Sequence, residues 1–211
     1  MNPIGIFGGT FDPIHYGHLR SAFELLEGLR LSHVSFIPSA DPPHRGGTIA
    51  PADLRYRMVE VAVAGQKGFV VDDCEFRRDG PSFTIDTLVA LREEHHDRSL
   101  CLITGMDAYL GLTTWHRWDE ILDYAHIVVA HRPGWTLPTE GELGELLAAH
   151  GTADVDDLHS KLAGYVYDHA VTQLEIASTE IRQLIAAGQD PRFLMPDAVR
   201  DVILESNCYA S

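Results

Sequence analysis

The chain has 211 residues, with 31 Asp plus Glu against 16 Lys plus Arg, for a formal net charge of −15. Hydrophobic residues make up 45% and charged residues 22%, the balance of an ordinary globular protein that buries roughly 70% of its unfolded surface around one core. So acidic a chain argues against nucleic acid as a partner, because phosphate backbones call for a basic footprint; a few local cations still suffice for a small anionic ligand.

Three cysteines, Cys74, Cys101 and Cys208, lie far apart with no C-x-x-C, which favours reduced thiols and a cytoplasmic setting. The N-terminus shows no basic, then apolar, signal-peptide pattern, and no run approaches the ~18 apolar residues of a membrane span. No membrane partner is expected.

Short β-branched or aromatic runs at residues 4–7, 34–37, 69–71, 100–103 and 127–130 predict buried parallel strands. Helical patterns fall between them. Residues 19–29 carry apolar side chains on one side, Leu54, Met58, Val61 and Ala62 recur at helical spacing, and residues 84–91 open on a capping-type Thr. Residues 136–157 read as an acidic loop around a short helix at 142–150. A further helix at 178–187 is expected to start at Ser178 or Thr179 as N-cap and stop at Gly188. The last helix opens at Pro196 and runs to about Glu205. This alternation predicts an α/β fold, a doubly wound and mainly parallel sheet with C-terminal helices, as a single domain over residues 1–211. Ligands of such sheets bind beyond the carboxyl ends of the strands.

The first predicted strand runs into Gly8-Gly9-Thr10-Phe11-Asp12-Pro13-Ile14-His15-Tyr16-Gly17-His18. Adjacent glycines allow close approach of a ligand and positive φ, and His18 falls in the first turn of a helix, where free N–H groups favour an anion. His15 and His18, three apart, are both expected to face one phosphate. A plain turn and an incidental H-x-x-H are the ordinary alternatives, and a metal site of Asp12, His15 and His18 is a third. Neither G-x-x-x-x-G-K-[ST] nor G-x-G-x-x-G occurs, which weakens a Walker ATPase and a nicotinamide dehydrogenase.

The G-G-T-F-D-P and H-x-G-H elements resemble the signature of the nucleotidyltransferases related to class I aminoacyl-tRNA synthetases, and imply their Rossmann-like fold. Further motifs narrow the resemblance to the nicotinate-mononucleotide adenylyltransferases: Pro42-Pro43-His44-Arg45, Pro81-Ser82-Phe83-Thr84, Gly105-Met106-Asp107, Trp115-His116-Arg117-Trp118, His131-Arg132-Pro133-Gly134 and Ile176-Ala177-Ser178-Thr179-x-x-Arg182. The chain departs by Arg45 where that family often has Lys, and by Ala177 where it often has Ser. The resemblance implies adenylyl transfer from ATP to nicotinate mononucleotide, with pyrophosphate leaving, in NAD biosynthesis. It implies His15, His18 and Arg182 as catalytic groups, and Gly8, Gly9, Thr10, Phe11, Gly105, Asp107, Arg132, Ser178 and Thr179 around ATP. Asp12, His44, Arg45, Ser82, Thr84, Ile85 and Trp115 would meet the acceptor.

Chemistry leaves two of these roles open. Asp107 serves a ribose or caps the next helix, and Arg132 serves the nucleotide or a turn. Of Trp115 and Trp118, spaced like core residues, Trp115 is favoured for stacking on a pyridinium ring. Free N–H groups at Thr84 and Ile85 would hold the ring carboxylate. Mg²⁺ would be held mainly by the ATP phosphates, with no protein ligand required. Three rivals stand: a pantetheine-phosphate adenylyltransferase, a synthetase fragment and a non-catalytic nucleotide sensor. With Lys67 and Lys161 as its only lysines, the chain lacks the Lys-Met-Ser-Lys-Ser loop of a synthetase.

Overall fold

A computed structural model describes residues 2–42, 48–172 and 174–210. In chain order its elements are β1 (Ile4–Gly9), α1 (Tyr16–Gly28), β2 (His33–Pro38), α2 (Ala52–Val63), β3 (Phe69–Val71), α3 (Thr84–Glu94), β4 (Leu100–Gly105) and α4 (Met106–Leu110). After two 3₁₀ turns follow α5 (Ile121–Tyr124), β5 (His126–His131), α6 (Gly141–His150), β6 (Gly151–Thr152), α7 (Asp157–Ser160), β7 (Val166–Ala170), α8 (Ser178–Ala186) and α9 (Asp197–Ser206). No helix among the described residues is long and apolar enough to cross a membrane.

The seven strands make one sheet in the order β3-β2-β1-β4-β5-β7-β6, every pair parallel. All five strands expected from their apolar runs are present. β5 is buried along its whole length, as befits an inner strand covered on both faces. Its side chains sort by alternation: Val128 and Ala130 join the core under α1, α2, α8 and α9, while Ile127 and Val129 join the core under α3, α4, α5 and α6. β4 does the same with Cys101 and Ile103 against Leu100 and Leu102. The sheet is thus doubly wound, with a separate apolar layer on each side.

Two strands and two helix starts differ from expectation. β7 reads Val-Tyr-Asp-His-Ala with only Val166 buried, and β6 is two residues long; near a sheet edge neither needs a continuous apolar run. The N-cap of α3 is Phe83, not Thr84, and that of α8 is Ala177, neither with a side-chain cap bond. Gly188 does follow α8 at φ +71°, and Pro196 is the N-cap of α9.

One charged side chain underpins the loops at the carboxyl end of the sheet. Arg55, on α2, is wholly buried, and its guanidinium donates to the carbonyls of Thr10 at 2.7 Å, Ala50 at 3.2 Å and Ala40 at 3.4 Å. Burial lowers its pKa, and Asp12, Tyr209 and Glu75 oppose that by favouring the charged form. Replacing it with the apolar Arg55→Met would orphan three carbonyls and leave nearby acids uncompensated. We expect a loss of about 3 kcal/mol in urea unfolding. A loss below about 0.5 kcal/mol, the level of an ordinary surface change, would mean that the guanidinium does not carry these loops.

Candidate active site

The connection from β1 leads to β2 on one side of the sheet, and that from β4 leads to β5 on the other. The gap between β1 and β4 is therefore a switch point, where the loops part and leave a crevice. A cavity of about 830 Å³ opens there, walled by the carboxyl ends of both strands and by the starts of α1, α3, α4 and α8. Such a volume lies at the upper end of small-molecule sites.

Gly8 and Gly9 still belong to β1, paired with Ile37 and Pro38, and neither has a positive φ. The expected left-handed glycine turn is absent; φ is +49° at Phe11 instead. What Gly8 supplies is space. A Cβ there would meet no atom within 4 Å, so bare backbone faces the cavity. Thr10 and Phe11 continue the wall.

His15 is the N-cap of α1, and its ring stacks on that of His18 with centroids 3.7 Å apart and planes at 28°. The two imidazoles do not stand side by side. His18 lines the cavity, whereas His15 is buried and its Nδ1 has no hydrogen-bond partner. A Cβ on Gly17 would come within 2.9 Å of that Nδ1, so the glycine between the histidines makes room for the inner ring. The backbone N–H of His15 donates to Nδ1 of His18 at 3.3 Å, which assigns the proton of the neutral His18 ring to Nε2. Burial, and secondarily the His15 ring, push the His18 pKa well below its ordinary value. His18 is therefore a neutral donor in the free site.

Arg182 projects from α8 onto the same wall. Its guanidinium donates to the backbone oxygen of Asp12 at 2.7 Å and to Oγ1 of Thr179 at 3.2 Å. Ser178 also lines the cavity, and its hydroxyl donates to the carbonyl of Pro13 at 2.9 Å. Because that hydroxyl is spent on the first loop, it does not cap its own helix, and the first N–H groups of α8 lack an intrahelical acceptor. Thr179 does not reach the wall; it orients Arg182.

Opposite lie Ser82, Thr84 and Trp115. Ser82 bridges to Asp41, its Oγ accepting from the Asp41 N–H at 3.0 Å and its N–H donating to the Asp41 carbonyl at 2.8 Å. Trp115 is half-buried with one side on the wall, while Trp118 packs on the core away from it. Ile85 is fully buried in the core, so only its backbone N–H, in the first turn of α3, is suited to a ligand. Asp107 is exposed on the wall as the second residue of α4, whose N-cap is Gly105; the capping alternative for Asp107 does not hold. Arg132 is on the wall as well and pairs with Glu175 at 2.5 Å. His44 and Arg45 lie outside the described residues, as does most of the stretch 41–47.

Asp12 is on the wall as well. Its carboxylate is buried and accepts from internal donors: the N–H groups of Ile49 at 3.0 Å and Ala50 at 3.1 Å, and the hydroxyl of Tyr209 at 2.6 Å. It anchors loops. The wall also includes residues that the motifs did not flag. Glu75 is buried, with one carboxylate oxygen accepting from Thr87 at 2.8 Å and the other unpartnered. Trp135 stands half-exposed after Gly134, whose φ of +87° makes the turn. The R-P-G-W turn could have signalled Trp135; nothing in the spacing around Glu75 marks it.

Residues 6–184 match the cytidylyltransferase-like family. A relative from Aeromonas salmonicida, named "Probable nicotinate-nucleotide adenylyltransferase", is 48% identical, covering 98% of this chain and 97% of its own. One of the same name from Methylococcus capsulatus is 44% identical, covering 98% and 99%. The chain belongs to the nicotinate-nucleotide adenylyltransferase family. Among solved structures, a Plasmodium falciparum nicotinic acid mononucleotide adenylyltransferase complexed with NaAD shares the fold, with a TM-score of 0.72 at 16% identity over 99% of this chain and 98% of that one. The same protein complexed with APC gives a TM-score of 0.71.

For this adenylyltransferase the inner histidine sets a pH limit. Burial holds the His15 pKa at about 4, while in an unfolded chain the imidazole protonates near 6.5. Between those values the unfolded state binds more protons, so stability rises with pH across that window and is lost as pH falls towards 4. Acidification from pH 7 to 5 should therefore lower the urea midpoint. A His15→Asn variant should show a shallower fall, by up to about 1.4 kcal/mol per pH unit. Identical slopes in the two proteins would place the His15 ring in water.

Proposed function

We propose that the chain catalyses adenylyl transfer from ATP to nicotinate mononucleotide, giving nicotinate adenine dinucleotide and pyrophosphate, and that the cavity between β1 and β4 is where it does so. The observation that carries the reading is the convergence on one wall of bare backbone at Gly8, a neutral donor at His18, the guanidinium of Arg182 and the uncapped start of α8. That wall suits a polyphosphate. Half-buried Trp115 and the opening turn of α3 lie across from it and suit an aromatic ring bearing an anion.

The chemistry asks for little beyond alignment and charge. A phosphate oxygen of the mononucleotide, anionic near neutral pH because a phosphomonoester's second pKa is about 6, attacks the α-phosphorus of ATP. A new P–O bond forms there while the bond from the α-phosphorus to the bridging oxygen breaks, and the charge moves to pyrophosphate. No general base is required. His18 donates from Nε2 to oxygens at the reacting phosphorus, and Arg182 with the N–H groups of α8 neutralises the leaving group. His15 acts from behind, fixing the plane of His18 by stacking and its tautomer through the backbone N–H. Thr10, Phe11, Gly105, Asp107 and Arg132 bound the nucleotide side, with Asp107 accepting from ribose hydroxyls.

ATP would enter as its magnesium complex. The ion would be carried mainly on phosphate oxygens and water. On the acceptor side, Ser82 sets the rim, and the N–H groups of Thr84 and Ile85 would take the ring carboxylate. A positive helix end prefers an acid to a neutral amide.

Pyrophosphate release from ATP, measured side by side with nicotinate mononucleotide, nicotinamide mononucleotide and phosphopantetheine, tests the reading. Turnover is expected with the first in preference to the second and not with the third; turnover with phosphopantetheine alone, or with none, overturns it. His18→Ala should lower kcat by about 10²–10³ while leaving mononucleotide affinity nearly intact, as for loss of a donor to developing charge. Equal loss of both would remove His18 from the reacting phosphorus. Trp115→Ala should raise the KM of the acceptor far more than that of ATP, and an unchanged acceptor KM would assign Trp115 to the core.

A further inference from the structure

From the hydrogen bonds around Asp12, we infer that Tyr209, beyond the last helix, is a positioning residue for transfer: it holds the Asp12 segment in the place from which Arg182 is aimed at the leaving phosphates. This rests on the role proposed for Arg182. Tyr209 does not itself line the cavity, although Asp12 does. Its ring is buried in the core beneath α2 and α9, and its backbone sits at φ +70°, a region bulky residues rarely occupy. A strained, buried tyrosine needs something that holds it there. Its hydroxyl donates at 2.6 Å to Oδ1 of Asp12, across 197 residues of sequence.

That carboxylate oxygen also accepts from the Ala50 N–H, and its twin accepts from the Ile49 N–H. The backbone oxygen of the same residue accepts from Nη1 of Arg182. Asp12 is thus gripped on its side chain by the loop before α2 and by the C-terminal tail, and from its main chain it fixes the guanidinium. The same guanidinium lies 3.9 Å from Oδ2 of Asp12 and donates to Thr179 one turn earlier on its own helix. Among the described residues, Asp12 is what ties the guanidinium to the loop that bears the histidines. Removing the Tyr209 hydroxyl frees one side of Asp12 to rotate, and a guanidinium misplaced by a fraction of an ångström stabilises a leaving group poorly.

The test is a double-mutant cycle of Tyr209→Phe with Arg182→Ala, with kcat normalised to the folded fraction from circular dichroism. Tyr209→Phe keeps the ring in the core and removes only the hydroxyl. It should lower kcat about tenfold, with the KM of the mononucleotide within about twofold of wild type. Arg182→Ala alone should lower kcat by about 10² or more. In the Arg182→Ala background Tyr209→Phe should cost less than about twofold, because the group it acts through is gone. A full tenfold loss in that background, or unchanged kcat for Tyr209→Phe alone, overturns the inference while leaving the role of Arg182 standing. Unchanged kcat for Arg182→Ala sinks the role of Arg182, and with it this inference, by a separate reading. Should Tyr209→Phe unfold at the assay temperature, Tyr209→Trp, which fills the core without placing an oxygen on Asp12, is measured in the same cycle and judged by the same limits.

Discussion

A carboxylate removed from water must be surrounded by donors, and the organisation of this site follows from how that requirement is met at Asp12. The donors come from the loop before α2 and from the tail after α9, and Arg182 of α8 binds the residue's main chain. Behind them Arg55 closes the same loops through their carbonyls. Pieces of chain that the sheet topology would leave as independent loops are therefore held to common points. The rigidity needed to align a triphosphate comes from this polar knot beneath the cavity, while the cavity wall itself stays open and bare.

The histidine pair shows how the first helix is used. In sequence, a motif with His at its first and fourth positions offers two equivalent hands for a phosphate. The fold makes them unequal, one presented and one retained behind it as backing, because α1 starts at His15 and its ring turns in over Gly17. Burial then keeps both rings neutral.

Most of the scaffold was legible because inner parallel strands are apolar on both faces, so β1, β2, β4 and β5 announce themselves as short hydrophobic runs, with β3 the short edge example. β7 was not legible: at Asp168 and Ala170 its side chains meet solvent, and its pairing with β5 is decided by backbone bonds that leave no mark in composition. In the site, residues on the crevice loops followed from motif position: His18, Arg182, Ser178, Ser82, Thr84 and Trp115 all reach the wall. Reasoning from residue type failed where a side chain had a second use. The glycines of β1 serve by lacking a side chain and not by their torsions, and the hydroxyl of Ser178 goes to Pro13 in place of its helix. Glu75 was invisible because its neighbours in space, Thr87 above all, come from a different element.

The bond from Tyr209 to Asp12 also bears on synthesis. Every group assigned to the reaction lies at or before residue 182, and so is synthesised ahead of Tyr209. The clasp that steadies those groups joins residues 197 apart in sequence, and loops that long close late. A nascent chain on the ribosome would thus hold all its reactive side chains before it could aim them, and the ordered catalyst would appear only once Tyr209 has emerged.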